Sequence, residues 1–152
     1  MPVAILTTPF DPSREIENFE NEGDDFGALV SFVGRCRAGS PNGAVRALEL
    51  QHYPGFTERV IEDFVRQQLQ ANPGANALVL HRVGAIEPGE PIVLVAATSP
   101  HRAAAFALVD TIMNFLKTDA PFWKSERTDA GSAWIEPTAA DHARRAEEVS
   151  KP

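Results

Sequence analysis

The sequence predicts an α+β fold, with a mainly antiparallel sheet and helices packed on it, in a single domain. Its 152 residues suffice for one domain with its own hydrophobic core. The predicted elements follow the order strand–strand–helix–strand–strand–helix, with further short strands behind them. The two strands between the helices flank EPGE, a turn signal that is typical of a hairpin and therefore of antiparallel pairing.

The first half of the chain contains three predicted strands and two predicted helices. The apolar, β-branched run 3–8 predicts a strand, and the acidic segment 11–25 predicts a short helix followed by a loop. Segment 27–37, GALVSFVGRCR, predicts a buried strand that ends in basic residues. Segment 44–53 alternates and predicts a strand paired with that one. In 56–70, apolar residues recur at helical spacing, which predicts an amphipathic helix of about four turns.

The second half begins with the predicted hairpin and continues with a long helix. Segments 77–86 and 91–99 are apolar strands on either side of EPGE. Segment 99–121 predicts one helix, with Ser99 as N-cap, Pro100 as first helical residue and Pro121 as its end. The remaining predictions are two short strands at 122–128 and 132–136, and a charged tail at 137–152 that forms a short, fraying and partly mobile helix.

The composition excludes several classes of function. A net charge of -7 argues against bulk attraction to nucleic acid or anionic membranes. Cys36, the only cysteine, excludes an internal disulfide and a cysteine-built zinc site, and the four histidines lack metal-ligand spacing. We therefore predict no metal and no cofactor. With neither a signal peptide nor a long apolar run in sight, the expected location is cytoplasmic.

Two pairs of cations stand where an anion could bind. Arg35 and Arg37 follow a buried strand and precede a glycine-containing loop. His101 and Arg102 lie in the first turn of the predicted long helix, where free N–H groups and the helix dipole favour anions. Because cations are mildly unfavourable for the helix at that end, their presence indicates a phosphate or carboxylate ligand. A solvated strand end and a salt-bridged arginine are the structural alternatives.

A third group of cations brackets Pro121, in FLKTDAPFWKSE. Lys117 ends the predicted helix, where it opposes the helix dipole, and Lys124 follows Phe122 and Trp123. A lysine against an apolar wall is partly desolvated, which lowers its pKa and frees an amine to act as base or nucleophile. Two lysines beside two aromatic rings thus form a candidate catalytic pair.

The length of the predicted helix separates two of these groups. Arg102 and Lys117 are 15 residues apart, or roughly 22 Å along the axis at about 1.5 Å per residue. One small ligand does not reach both in the same chain. We hypothesise that a symmetric dimer forms a shared site, with His101 and Arg102 of one subunit near Lys117 and Lys124 of the other.

Four motifs in order, FVGRCR, HYPGF, SPHR and LKTDAPFWKSE, resemble those of the large, catalytic subunit of molybdopterin synthase, over about Phe26 to Glu136. The resemblance implies an α/β-hammerhead-like fold and a sulfurtransferase of molybdenum cofactor biosynthesis. Sulfur would pass from the C-terminal Gly-Gly thiocarboxylate of a small ubiquitin-like partner subunit to cyclic pyranopterin monophosphate, forming the dithiolene of molybdopterin. The chain would form a central homodimer within a heterotetramer.

The resemblance also implies roles for individual residues. Lys117 would lie near the partner's C-terminus and Lys124 would be the second catalytic lysine, while which of them acts as base and which contacts the thiocarboxylate stays open. The substrate-binding set matched by motif is Arg35, Cys36, Arg37, His101, Arg102, Lys117, Lys124, Ser125 and Glu126. The residues expected to support the pocket are Phe32, Gly34, Met113, Pro121 and Trp123.

The chain departs from the family pattern at one part of this site. Thr138 stands where an arginine is usual, and Arg144 or Arg145 is a candidate replacement. Two other functions fit the residues alone. One is a non-catalytic dimeric module that binds an anionic metabolite or a protein tail. The other is a thiol enzyme in which Arg35 and Arg37 activate Cys36.

Overall fold

A computed structural model of the chain describes residues 3–150 and has the predicted α+β fold, with one parallel strand pair, β1 with β5, among antiparallel ones. Every predicted helix and strand is present, and a short β3 is added to them. The elements are β1 (Val3–Leu6), α1 (Pro12–Glu22), β2 (Ala28–Arg35), β3 (Gly39–Ser40), β4 (Gly43–His52), α2 (Phe56–Gln70), β5 (Asn76–Arg82), β6 (Gly84–Ile86), β7 (Pro91–Ser99), α3 (Arg102–Thr118), β8 (Phe122–Thr128), β9 (Gly131–Ile135) and α4 (Ala139–Ser150).

The first sheet has the strand order β1-β5-β7-β2 and is covered on both faces. Side chains of β5 and β7 pack with α2 and α3 on one face, around the fully buried Ile61, Val95 and Ile112. On the other face, Phe19 of α1 packs against Leu94. The continuous apolar run of β7 follows from this burial, because a strand that is covered on both faces has no solvent side on which to place polar residues.

The predicted pairing of β2 with β4 is wrong, because the two strands belong to different sheets. β2 pairs with β7 in antiparallel register, from Ala28 opposite Ser99 to Gly34 opposite Val93. The contact is so close that a Cβ on Gly27 would lie 2.3 Å from the carbonyl oxygen of Pro100. The order of the strands along the chain suggested that β2 and β4 form a hairpin, whereas the strand that pairs with β2 is β7.

The predicted strand 77–86 is divided between the two sheets. β5 ends at Arg82, and β6 begins at Gly84, whose φ of +88° is a conformation that favours glycine. β5 pairs with β7 in the first sheet, and β6 pairs with β4 in the second. The EPGE turn is confirmed: the N–H of Glu90 donates to the carbonyl of Glu87 over 3.1 Å.

The second sheet has the order β3-β4-β8-β9, with β6 also paired to β4. Its apolar face buries Leu48, Leu50 and Ile86. Lys124 of β8 lies opposite Leu50 of β4 and Ile135 of β9. A central strand with partners on both sides therefore fixes the backbone of this lysine.

The long helix α3 begins two residues later than predicted. Ser99 is the last residue of β7, and its hydroxyl donates to the carbonyl of His101 instead of capping the helix. His101, extended at φ −131° and ψ 151°, takes the N-cap position without a side-chain cap. The predicted end is close to correct, since Thr118 is the last helical residue and Pro121 follows three positions later.

The predicted tail helix, α4, packs against α3. The guanidinium of Arg144 bonds to Asp110 and to the side-chain oxygen of Asn114, and Glu148 accepts from the amide of Asn114 over 2.8 Å. The polar stripe on an otherwise apolar α3 is thus the surface that α4 covers. The fraying of the tail stays a prediction. Within residues 3–150, no helix is long and apolar enough to cross a membrane.

Candidate active site

A cavity of about 870 Å³, called the first cavity below, lies where both sheets meet the C-terminal end of α3. The loop after β2 and the loop that precedes α4 complete its walls. It collects cations from three separate parts of the chain, Arg35 and Arg37 after β2, Lys117 on α3 and Lys124 on β8. Cys36, Glu126 and Trp123 of the predicted set line it as well. The cavity thus brings together the two lysines and the two arginines of the predicted cationic pocket, without His101 and Arg102.

Lys124 is the most strongly perturbed cation of the cavity. On a strand, Phe122 and Lys124 share one face, and the ring of Phe122 stacks on buried His81 with centroids 4.0 Å apart. Burial, and then the nearby charge of Lys117, lower the pKa of Lys124 from 10.5 to about 8. An appreciable fraction of this lysine is therefore a neutral amine close to neutral pH.

His81 adds to the dry wall on this side and does not titrate in the ordinary range. Its burial, with smaller contributions from the charges of Lys124 and Lys117, lowers its pKa to about 4. Nδ1 lies 2.9 Å from the carbonyl oxygen of Arg82. The ring is thus neutral at neutral pH and leaves the lysines as the basic groups at this point.

Lys117 stands at the junction of two cavities. It lies in the last turn of α3, where a cation opposes the helix dipole, and its side chain is exposed. It lines the first cavity and also a second cavity of about 450 Å³ between β2, α3 and α4. Only one other residue of the described chain, Asp141 of α4, lines both.

The second cavity is a groove with both apolar and polar walls. Its apolar residues are Val30 and Phe32 of edge strand β2 and Phe106, Val109 and Met113 of α3. The polar residues that line it are Ser31, Asp110, Asn114, Lys117, Asp141 and Arg144. Phe32 is 42% exposed and Phe106 61% exposed, so the groove opens to solvent. Phe32 and Met113, predicted as pocket supports, thus line this groove together with Lys117 and do not line the first cavity.

The thiol of Cys36 does not have the environment of a nucleophile. Its side chain is buried, and this burial, followed by the charges of Glu126 and Glu90, raises the pKa of the thiol. A reactive cysteine requires the opposite shift. Of the arginines expected to activate it, Arg35 donates to the carbonyl oxygen of Gly89 over 2.5 Å. Cys36 is a wall residue of the cavity.

Five predicted site residues line neither cavity in the described chain, namely His101, Arg102, Ser125, Gly34 and Pro121. His101 and Arg102 are exposed at the far end of an unbroken α3, and Arg102 forms no ion pair within residues 3–150. Ser125 follows Lys124 and faces the opposite side of β8. Gly34 is a packing position, where an added Cβ would lie 2.7 Å from Cγ1 of Val93.

Pro121 supports the site from outside the cavity wall. Its carbonyl accepts a bond of 3.1 Å from the hydroxyl of buried Thr57 on α2. The same hydroxyl accepts from the N–H of Tyr53 over 2.9 Å. The turn between the two lysines is thereby fixed to the start of α2, and the support that Pro121 gives to the pocket stays a prediction.

Neither candidate for the missing arginine lies in the first cavity. Arg144 lines the groove, where it pairs with Asp110, and Arg145 pairs with Asp119 over 3.2 Å. Thr138 itself lines the first cavity. Within one chain of residues 3–150, this part of the wall therefore lacks the cation that the family pattern would place there.

Two acidic residues of the site escaped the sequence analysis. Asp141 and Glu136 line the first cavity from the segment that had been assigned to a mobile tail and from the residue before it. Thr138 and Asp141 form a reciprocal cap, since each backbone N–H bonds to the other's side chain over 3.0 Å. The Thr-x-x-Asp spacing was a visible signal for a helix start.

The chain is similar to proteins of one family. The description "MoaE protein" belongs to the family whose sequence pattern it matches over residues 5–119. A Pseudomonas aeruginosa relative described as "molybdopterin synthase catalytic subunit" is 39% identical over 143 residues, covering 94% of this chain and 95% of the relative. The structure of a molybdopterin biosynthesis MoaE protein from Burkholderia ambifaria superposes with a TM-score of 0.82 at 37% identity, covering 98% of each chain.

A further solved structure shows the same fold at lower identity. It is described as a protein–protein complex of subunits 1 and 2 of molybdopterin-converting factor from Helicobacter pylori. Its TM-score is 0.76 at 20% identity, over 89% of this chain and 90% of that one.

Proposed function

The chain belongs to the MoaE family, the catalytic subunits of molybdopterin synthase, and from this premise we propose how its two cavities divide the work of sulfur transfer. The enzyme converts cyclic pyranopterin monophosphate to molybdopterin by transferring sulfur. A non-catalytic binding module therefore no longer describes the chain. The first cavity holds the pterin, and the groove admits the sulfur-bearing tail of a small partner subunit.

The charges of the first cavity suit the pterin substrate. A monophosphate ester is an anion, and Arg35, Arg37, Lys117 and Lys124 converge on this cavity in a chain of net charge -7. A guanidinium binds phosphate oxygens in bidentate geometry. The volume of about 870 Å³ lies in the range of small-molecule sites. Arg37, the motif arginine, is our assignment for the phosphate.

The groove suits an extended chain terminus. It runs between edge strand β2 and helix α3, and apolar side chains of both elements line it together with Lys117. A Gly-Gly terminus has no side chains and fits a narrow passage, while its thiocarboxylate carries the negative charge that Lys117 would meet. The observation that carries this assignment is that the groove and the first cavity share Lys117.

The two lysines differ in environment and hence in role. Lys117 is exposed at the junction, where its ammonium group would polarise the thiocarboxylate carbonyl or, as an amine, attack it. Lys124 is partly buried with a pKa of about 8, so it suits proton transfer at the carbon that receives sulfur. Cys36 has no part in the transfer, because the sulfur arrives on the partner.

A second copy of the chain completes the site in this proposal. His101 and Arg102 lie at the opposite end of α3 from Lys117, roughly 22 Å away at about 1.5 Å per residue. Their exposure and the absence of an ion pair for Arg102 within residues 3–150 suit cations that act across an interface. The assembly is a homodimer of this chain with one small subunit at each end.

Crossed binding measurements test the division between the cavities. Met113→Glu places a charge in the groove and is expected to weaken binding of the thiocarboxylated partner at least about tenfold, with pterin binding retained. Arg37→Ala is expected to weaken pterin binding at least about tenfold, with binding of the thiocarboxylated partner retained. Ala107→Glu, on an exposed position of α3 outside the groove, is the matched control. Unchanged partner affinity in Met113→Glu would contradict the groove assignment, and absence of dithiolene product from the unmodified proteins would contradict the reaction.

A further inference from the structure

Asp141 occupies a special position between the two cavities. It lies in the first turn of α4, and in the described chain only Asp141 and Lys117 line both the first cavity and the groove. Its carboxylate is therefore the negative group at the point where the proposed sulfur donor and acceptor would meet. None of the four sequence motifs of the candidate site includes Asp141.

The surroundings of Asp141 keep it ionised. Burial favours the neutral acid, but the two hydrogen bonds with Thr138 and the charges of Lys117 and Lys124 outweigh it, so the pKa of Asp141 is lowered. In return, the charge of Asp141 raises the pKa of Lys124, which burial and the charge of Lys117 lower. The three groups are thus electrostatically coupled.

The other carboxylates near the junction are engaged elsewhere or reach only one cavity. Glu126 accepts the hydroxyl of Ser40, and Asp110 pairs with Arg144 in the groove. Glu136 lines the first cavity alone. Asp141 is held by α4, which is itself fixed to α3 through Arg144 and Glu148.

We propose that Asp141 is a positioning residue for sulfur transfer, whose carboxylate is the counter-charge that lessens the repulsion between the ammonium groups of Lys117 and Lys124 at the junction of the two cavities. The inference rests on the lysine roles proposed above. Two like charges that line one cavity repel each other, and a carboxylate on the same wall reduces that repulsion. An arriving anionic thiocarboxylate then adds a second counter-charge beside Lys117.

Some of the other titratable groups around Lys124 are basic and some are acidic, and all of them are present in every variant compared. Besides Lys117 and Asp141, these titratable or charged groups are Arg35, Arg37, Cys36, Glu126, Glu136 and His81. Since the substitution of Asp141 changes none of them, a shift in the titration of Lys124 reports the loss of this one carboxylate.

The test compares Asp141→Asn with two controls. Asparagine retains the side-chain oxygen that accepts from Thr138, so α4 keeps its cap while the charge is lost. Asp141→Glu keeps the charge. Glu147→Gln removes a charge from an exposed position of the same helix. Helix content by circular dichroism verifies that each variant is folded.

Two readouts separate this proposal from the proposed function. The first is the titration of Lys124 by NMR in the chain without partner or substrate, and the second is the pH dependence of single-turnover sulfur transfer. Asp141→Asn is expected to move the Lys124 titration, and the limb of the rate profile that depends on it, to lower pH. Asp141→Glu should remain near the unmodified protein, and Glu147→Gln should coincide with it.

The outcomes are distinct. If neither the titration nor the rate profile moves in folded Asp141→Asn, the positioning role is overturned. If the titration moves while the rate profile stays, the lysine roles of the proposed function fail, and the catalytic role of Asp141 fails with them. A parallel shift of both supports the proposal.

Discussion

The positive charge of Lys124 lies in a partly buried position beside Lys117 that disfavours it, so the stability of the folded protein depends on pH. Its pKa is about 8 in the folded chain and 10.5 for an ordinary lysine. Below about pH 8 the folded protein therefore holds a proton at a free-energy cost that the unfolded chain does not bear. Between pH 8 and 10.5 the unfolded state binds more protons than the folded state, so stability is expected to rise with pH in that window.

We predict that Lys124→Met stabilises the protein at pH 7 while abolishing sulfur transfer. Methionine retains the apolar contacts and removes the buried charge, so the free energy of unfolding should increase by about 1–3 kcal/mol. The difference should shrink as the pH approaches 10.5. Denaturant unfolding at several pH values measures it. Arg127→Met, on an exposed position of the same strand, is the control, and a destabilised Lys124→Met would contradict the account.

Cys36 provides a second prediction for a single residue. Cys36→Ala removes a buried thiol with a raised pKa and is expected to retain sulfur transfer within about twofold, at a cost of about 1 kcal/mol in stability. Single-turnover assays with the thiocarboxylated partner measure the first effect. Loss of transfer in a folded Cys36→Ala protein would restore the thiol mechanism.

For single residues, the sequence indicated which residue types form the candidate site better than it indicated where in space they lie. Pro121 between two lysines allowed both to face one pocket, because a proline after a helix turns the chain, and the other motifs in the same order supported Lys117 and Lys124 as a pair. Asp141 lies 17 positions beyond Lys124 and lines the same cavity only through the packing of α4 on α3. No local pattern in the sequence predicts that arrangement.

Among the elements, β2 determines how the groove is built. It is the edge strand beside β7, and the close approach at Gly27 fixes it against the start of α3. The groove wall formed by Val30 and Phe32 depends on this register. Sequence reasoning paired β2 with β4, since adjacent strands usually form hairpins, and pairing across an intervening segment leaves no local signal.

We predict that Gly27→Ala destabilises the protein by about 2–4 kcal/mol, because the new Cβ would lie 2.3 Å from a backbone oxygen that has little freedom to move. Gly39→Ala is the matched control, since nothing lies within 4 Å of its added Cβ. Denaturant midpoints measure both. Equal stability of the two variants would contradict the register of β2.

At the scale of the whole molecule, the length of the unbroken α3 indicates how two copies of the chain would have to assemble to form one site. His101 and Arg102 lie at one end of the helix and Lys117 at the other. The sequence predicted this separation correctly, because helix rise is fixed by geometry. The second copy that would bring the two ends together is inferred from the separation and from the exposure of both residues.

Mixed dimers test the shared site. A chain with Arg102→Ala and a chain with Lys117→Ala should each be inactive alone. Random mixing would make half of the dimers heterodimers, each with one intact site of two, so activity should return to about a quarter of the unmodified level. Activity is measured after co-expression with two affinity tags. No recovery in purified heterodimers would contradict a site built from two chains.

In the proposed function, sulfur passes at Lys117, where the groove and the pterin cavity meet. Lys117→Arg tests this role of the lysine, because arginine keeps the positive charge but offers no usable amine. Affinity for the thiocarboxylated partner, affinity for the cyclic pterin and the single-turnover rate of dithiolene formation are measured on the same protein. Both affinities are expected to stay within a few-fold of those of the unmodified protein while the rate falls at least about a hundredfold. Full transfer activity in Lys117→Arg would contradict it.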